Sequence, residues 1–353
     1  MILKIIDSKN TLPVLNNFLI DVQSDKIIIT TTNLEHTLRI VITDNISIGA
    51  TGKTTVPAKL LAQYIALLSD TDVSFELSEH TLKIKAGRDK TEIMCIDPEE
   101  FPALPDMDVQ TQARTVSHLL AEGFDRTSFA CSNDIARATL TGTSLIIEQS
   151  TAFVAATDSY RLAEKQFQLE QTSGQDIKCI IPKKAADELI SILSFDQQPV
   201  EIEAKTNQIT FQIGASMTFA TRLIEGNFPA YKQILPQSFN TTANVSKSEL
   251  LTAIKKTALF SEELKKSIEL TIQENMVSLN SVQSQVGHSE QAIDAITDGR
   301  ENTTNINSQY MLDVLGKIKS DEIMIGINEP HLPVGVQGKD DQGFQYIIMP
   351  LKK

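Results

Sequence analysis

Apolar positions along this chain fall into a helix-then-hairpin pattern that recurs three times. Residues 56–68 (VPAKLLAQYIALL) carry apolar side chains at helical spacing behind a proline suited to a first turn. The pattern returns 125 residues later at 181–193 (IPKKAADELISIL) and again at 306–318 (INSQYMLDVLGKI), where Asn307 replaces the proline. Apolar positions coincide in all three: Tyr64, Leu189 and Val314; Ile65, Ile190 and Leu315; Leu68, Leu193 and Ile318. Equal spacing of this kind marks an internal repeat. Hairpin-like alternation follows each helix, at 73–77 with 82–86, 200–202 with 209–213, and 323–327 with 334–336. Gly87 and Gly214 close the first two in register.

A second helix is predicted at 117–130 and at 246–260, opening repeats two and three, with short strands at 138–140, 145–148 and 152–156. In repeat one only ten residues precede Thr11, so its first helix is expected to be missing or truncated. Such a loss should expose an apolar sheet face that includes Leu15, Phe18 and Ile20. Pro-rich exits at Phe101-Pro102-Ala103-Leu104-Pro105 and from Phe228-Pro229 to Leu235-Pro236 mark domain boundaries. The expected fold class is α+β: two helices on antiparallel sheet, used three times, over residues 1–107, 108–236 and 237–353.

Length agrees with this, since 353 residues exceed what one core ordinarily serves. No apolar run approaches the roughly 18 residues of a membrane span. The start, Met1 to Ile6 followed by Asp7, meets acid too early for a signal-peptide core. Cys95, Cys131 and Cys179 are odd in number and lack CxxC spacing, as reduced thiols of a cytoplasmic protein would. The net charge of −13 speaks against a nucleic-acid partner if it is spread evenly. A ring with acid outside and a basic lining escapes that objection.

Catalytic chemistry finds no constellation. Gly49-Ala50-Thr51-Gly52-Lys53-Thr54 resembles a phosphate loop, but Ser47 stands where the first glycine belongs. Thr54-Thr55-Val56 reads as extended, with the helix opening only at Pro57, so no helix N-terminus faces the turn. The histidines (His36, His80, His118, His288, His331) are scattered, and neither HExxH nor GxSxG is present. Asp97-Pro98-Glu99-Glu100 reads as a solvated loop. A polymerase or nuclease would need clustered acidic metal ligands, and none is visible. A DNA-mimicking scaffold is the other reading that the acidity suggests.

Two features stand out. In Ala156-Thr157-Asp158-Ser159-Tyr160-Arg161-Leu162-Ala163 the Asp-Ser pair suits a turn that Arg161 can tie to carbonyls or a carboxylate. The C-terminus, Tyr346 to Lys353 (YIIMPLKK), is apolar almost to its last residue, where chains are usually frayed and polar. It must be a core strand, a binding surface, or one running into the other.

These segments, with TLPVLNNFLI (11–20) and RLIEGNFPAYKQILP (222–236), resemble the beta subunit of bacterial DNA polymerase III. That family shows TLPIL, ATDGHRLA, a Phe-Pro-x-Tyr segment before Leu-Pro and a terminal Met-Pro pair, in this order. The resemblance covers nearly the whole chain. It implies the DNA clamp fold, closed as a head-to-tail homodimer of six modules with helices lining a hole for double-stranded DNA. It also implies a non-catalytic processivity factor without metal or cofactor, cytoplasmic, whose partners are the polymerase III alpha subunit, the clamp loader and other proteins with clamp-binding motifs.

Site residues carry over from the resemblance position by position. A partner-peptide cleft would use Leu140, Thr157, Ser159, Tyr160, Arg161, Leu162, Pro229, Gln233, Ile234, Ile347, Met349, Pro350, Leu351 and Lys352. Ser159 stands for the family's Gly, Tyr160 for His and Gln233 for a basic residue, so rim preferences should differ while the apolar floor is kept. Lys9, Lys183, Lys184, Lys255, Lys256, Lys265, Lys266 and Lys317, with Lys319 beside them, would supply the pore's positive charge. Subunits would meet through Thr91 and Ile93 on one side and Leu259 and Phe260 on the other, with Thr91 where the family often has Phe.

Overall fold

The computed structural model describes residues 3, 5–6, 12–69, 72–174, 176–193, 197–261, 266–281 and 287–351. Lys9, Thr11, Lys265 and Lys352 lie outside the described residues.

Three related series of elements follow one another, the described part of the first beginning without the strand and helix that open the other two. Repeat one holds β1 (Asn17–Val22), β2 (Ile27–Thr32), β3 (His36–Ile42), β4 (Gly52–Pro57), α1 (Ala58–Leu67), β5 (Val73–Ser78), β6 (Thr81–Ala86) and β7 (Asp89–Met94). Repeat two holds β8 (Ala113–Val116), α2 (Ser117–Asp125), β9 (Gly142–Glu148), β10 (Thr151–Thr157), β11 (Arg161–Gln168), β12 (Gln171–Thr172) and β13 (Ile177–Pro182). It continues with α3 (Lys183–Leu193), β14 (Pro199–Ala204), β15 (Gln208–Ile213) and β16 (Met217–Arg222). Repeat three opens with β17 (Thr241–Ser246), α4 (Lys247–Ala258), β18 (Ser267–Gln273), β19 (Met276–Ser281), β20 (Glu290–Asp294) and β21 (Ile296–Gly299). It closes with β22 (Asn302–Asn307), α5 (Ser308–Leu315), β23 (Glu322–Ile327), β24 (Val334–Gly338) and β25 (Phe344–Ile348).

The phosphate-loop lookalike is strand. Lys53 lies on β4 and pairs with Asp21 at 3.2 Å, and the helix opens only after Pro57. In repeat three Asn307 does what proline does in the others, by a different route. Its side-chain oxygen accepts from the backbone N–H groups of Gln309 (2.9 Å) and Tyr310 (3.3 Å), satisfying donors that a helix start leaves open. One strand expectation fails: residues 138–140 belong to a 3-10 segment, Ile135–Leu140, initiated by the Asp134 side chain accepting from the N–H of Ala136. Local hydrogen bonding by Asp competes there with strand pairing.

The chain forms two compact units, Met1–Ala121 with Leu169–Gln175 and Glu188–Leu223, and Glu122–Gln168 with Asp176–Asp187 and Ile224–Lys353. The first holds a nine-stranded sheet, ordered β12-β8-β14-β15-β16-β3-β2-β1-β4, and the sheet β5-β6-β7. The second holds the nine-stranded sheet β13-β9-β10-β11-β25-β24-β23-β17-β21 and the sheet β20-β19-β18-β22. Each large sheet is continuous across two repeats. The third strand of one repeat pairs antiparallel with the last strand of the next: β3 with β16, and β11 with β25.

The apolar face expected to lie open in repeat one is covered. Leu15 and Phe18 are 2% and 4% exposed, and Ile20 is half-buried. Phe18 packs in a cluster with Ile6, Val56, Leu61, Leu82, Ile84 and Ile93, with Leu3 against it, so Ile6 and Leu3 add apolar cover to this core. What stays exposed is the outer face of α1. Leu60, Ile65 and Leu67 face solvent, while Ala185, Leu315 and Ile192 at matching positions of the other helices are buried.

Candidate partner groove and nucleic-acid interface

Strand register brings part of the expected groove set together in the second unit. Pairing of β11 with β25 sets Leu162 opposite Ile347 and Arg161 opposite Ile348. Leu162 and Ile347 then pack with Ala155 and Tyr231, flanked by Phe228 and Leu235. Beyond β25 the ladder continues: the Met349 N–H donates to the Tyr160 carbonyl (2.7 Å) and the Leu351 N–H to that of Asn305 (2.8 Å). The apolar tail is therefore a core strand that runs out into a half-buried rim of Met349, Pro350 and Leu351. Leu140 closes its 3-10 segment, and a side chain on Gly226, on the stretch that leads to Pro229, would meet Thr139 Cγ2 at 2.8 Å. A side chain on Gly142 would meet the Ile181 carbonyl at 2.5 Å and Ile224 Cδ1 at 2.7 Å, so glycine permits this approach.

The turn between β10 and β11 is held by its own side chains. Asp158 Oδ1 accepts from the N–H groups of Tyr160 (2.9 Å) and Arg161 (3.0 Å), and Thr157 Oγ1 donates to the Arg161 carbonyl (2.6 Å). Arg161 is engaged on every side. It pairs with Asp158 (3.0 Å) and Asp313 (2.5 Å), donates to the Phe129 carbonyl (2.9 Å), and lies 4.5 Å from the Tyr310 ring centre. These bonds tie the loop to a carbonyl and two carboxylates. Tyr160, Gln233 and Ile234 are exposed on the rim, while Thr157 is buried.

Sequence reasoning passed over the groove's underside. Tyr231 donates to Glu164 Oε2 at 2.5 Å, both residues being buried. Burial pushes the Glu164 carboxyl above its ordinary range, offset in part by this hydrogen bond, and burial beside Glu164 lifts the Tyr231 phenol far up. Tyr231 lay within the Phe-Pro-x-Tyr segment already singled out. No pattern marked Glu164, because its partner is 67 residues away.

The basic residues separate into two groups. Lys184, Lys255, Lys256 and Lys266 are exposed and Lys183 half-buried; Lys266 Nζ lies 3.3 Å from Gln309 Oε1. Lys255 and Lys256 sit in the last turn of α4, where cations also offset the helix dipole. Lys317 is half-buried and pairs with Asp125 at 2.7 Å. Lys319 pairs with Glu122 at 3.2 Å.

Of the expected subunit contacts, Thr91 and Ile93 lie on β7, an outer strand of its sheet. The Ile93 side chain is 3% exposed within its own core, which leaves only its backbone edge for pairing. Leu259, at the end of α4, is 79% exposed, with Phe260 half-buried beside it. Among the described residues no cluster of His, Cys, Asp and Glu could hold a metal ion, and no helix is long and apolar enough to cross a membrane.

Comparison with known proteins shows the family. Sequence models of the DNA polymerase III beta subunit match in order: the N-terminal domain at residues 1–105, the central domain at 115–230 and the C-terminal domain at 232–352. The beta sliding clamp of Staphylococcus aureus is 29% identical over 99% of this chain and 95% of its own length. The solved DNA polymerase sliding clamp of Bacillus subtilis superposes with a TM-score of 0.92 at 25% identity, covering 100% of this chain and 95% of its own. The DNA polymerase III beta subunit of Pseudomonas aeruginosa gives 0.92 at 26% identity, over 99% and 95% of the two chains.

Proposed function

We propose, from the premise that this chain belongs to the DNA polymerase III beta-subunit family, how its residues close a ring and hold partners. A member of that family is a sliding clamp, a non-catalytic subunit that keeps the polymerase on DNA. The observation that carries the ring reading is the strand-pairing rule. β3 takes β16 and β11 takes β25, which leaves β20, the third strand of repeat three, and β7, the last strand of repeat one, as outer edges. A second copy satisfies both at once, β20 of each copy pairing with β7 of the other, and a head-to-tail dimer results.

Side chains at the joint support the same assembly. Thr127 and Thr257 make the same bond to the carbonyl four residues back, which aligns α2 with α4 and Phe129 with Leu259. Phe129 packs on Tyr346 with ring centres 5.7 Å apart. Strand register makes Thr91 the counterpart of Tyr346, each facing the middle strand of its hairpin at Ile84 and Val336. Exposed Leu259 thus has its partner on a second copy, at the β7 edge where Thr91 lies.

In this reading the domains are 1–107, 108–236 and 237–353, supported by the family matches over nearly the same ranges. Lys183, Lys184, Lys255, Lys256 and Lys266 meet phosphates loosely and without base reading. The groove around Leu162, Ile347 and Tyr231 takes short apolar motifs from the polymerase III alpha subunit, the clamp loader and other motif-bearing proteins in the cytoplasm, with a few anchors carrying the affinity. Loading onto nicked circular DNA followed by linearisation tests the clamp. The protein should stay on circles and run off linear ends; equal retention on both would refute topological binding.

A further inference from the structure

β11 breaks its own apolar pattern at Glu164. Leu162 and Glu164 stand two residues apart on one strand and so point to the same face, where Leu162 is opposite Ile347 and Glu164 opposite Ala155. A leucine or valine at 164 would complete that face, yet a carboxylate is buried there, 6% exposed. Burying such a group is costly, and departures of this kind from the local rule gather at functional positions. Glu164 meets the segment that crosses the sheet. Within residues 225–236 only Tyr231 is buried, with Phe228, Leu235 and Pro236 half-buried. Among the described residues this stretch makes no backbone hydrogen bond to the sheet; just before it, the Ile224 N–H donates to the Ile180 carbonyl at 2.9 Å. Two side chains supply its polar ties. Tyr231 donates to Glu164, and Lys232 Nζ lies 3.8 Å from the Phe153 ring centre and 3.6 Å from Glu148. The Lys232 side chain is 46% exposed, so water screens that tie and the buried bond is the stronger one.

We propose that Glu164 is a positioning residue of the groove: by holding the Tyr231 hydroxyl it sets where Pro229, Gln233 and Ile234 stand over β11 and β25. The inference rests on the groove reading above. Those three residues are exposed, so packing does little to place them, and the wall they form follows the Tyr231 ring between them. Apolar packing holds a ring without direction, whereas a hydrogen bond fixes its hydroxyl at one point. Without an acceptor beneath it the hydroxyl would be buried unpaired, and the ring would turn toward water and carry the wall with it.

The test uses a fluorescein-labelled synthetic peptide with Leu and Phe anchors, titrated by anisotropy against the full chain. Glu164→Gln keeps an acceptor and should bind within about twofold of the parent. Glu164→Leu and Tyr231→Phe each remove the bond and should bind about tenfold more weakly. The double variant leaves neither partner polar, so it should melt no lower than the parent. It should still show the loss of a single variant rather than the product of both, since one bond is at stake. Deuterium uptake over residues 228–236 should rise in these three variants and not in Glu164→Gln. A Glu164→Gln chain as weak as Glu164→Leu, or a double variant that binds like the parent or melts well below it, overturns the proposal and leaves the groove standing. A parent chain that binds no peptide overturns the groove reading, and the proposal falls with it.

Discussion

Removal of Met349 to Lys353 asks whether the tail is a wall of the groove. β25 ends at Ile348, so its pairing with β11 and β24 is untouched. Two backbone hydrogen bonds are lost, from Met349 to Tyr160 and from Leu351 to Asn305, each worth about 1 kcal/mol. Met349 and Leu351 are half-buried, and their loss removes roughly another 1 kcal/mol apiece. The total is about 4 kcal/mol, below the roughly 5–15 kcal/mol that ordinarily holds a domain. The truncated chain should therefore fold and dimerise. Binding should suffer far more in proportion, because two apolar anchors of a small interface vanish. A loss of about 2–4 kcal/mol corresponds to roughly 30- to 1000-fold in Kd. Anisotropy with a Leu/Phe-containing peptide, alongside light scattering for mass, measures both. A truncated dimer that binds the peptide within about threefold of the full chain would refute this placement of the groove.

Leu259→Asp should leave the fold intact, since that side chain is 79% exposed, yet shift sedimentation from the mass of two chains to that of one; an unchanged dimer would move the joint elsewhere. Reversing Lys255 and Lys256 to Glu should lower the salt dependence of DNA binding by about 0.9 per lost phosphate contact. If the dimer weakens instead, these lysines serve the joint beside Leu259. Glu164 gives a pH prediction. Burial raises its folded pKa above the unfolded value, so the fold is relatively more stable at acid pH and loses that contribution as pH rises through the folded pKa. Glu164→Gln keeps an acceptor for Tyr231 and should flatten the melting temperature across that rise. A profile as steep as the parent's would assign the pH dependence to other groups.

Local pattern alone determined the threefold repeat, its helices and most of its hairpins, because burial of one face writes a period of 3.6 or 2 into the chain. It also placed the helix start at Pro57 and disposed of the phosphate-loop lookalike. The resemblance pointed to Thr157 to Leu162 and the tail as the proposed groove, and the apolar run of that tail is what a strand paired on both edges requires. Other features were decided only by tertiary structure. Phe18 is covered by Ile6, a packing of side chains that no periodicity records. Ile93 and Leu259 look alike as apolar residues near element ends, but one faces its own core and the other solvent. Lys317 reads as a free cation until Asp125, 192 positions earlier, is brought to 2.7 Å. Arg137 and Ser159 become a pair only when a 3-10 segment and a turn 22 residues apart meet. Periodicity reports which face of an element is buried, whereas partnership between polar side chains depends on distances that only the folded chain sets.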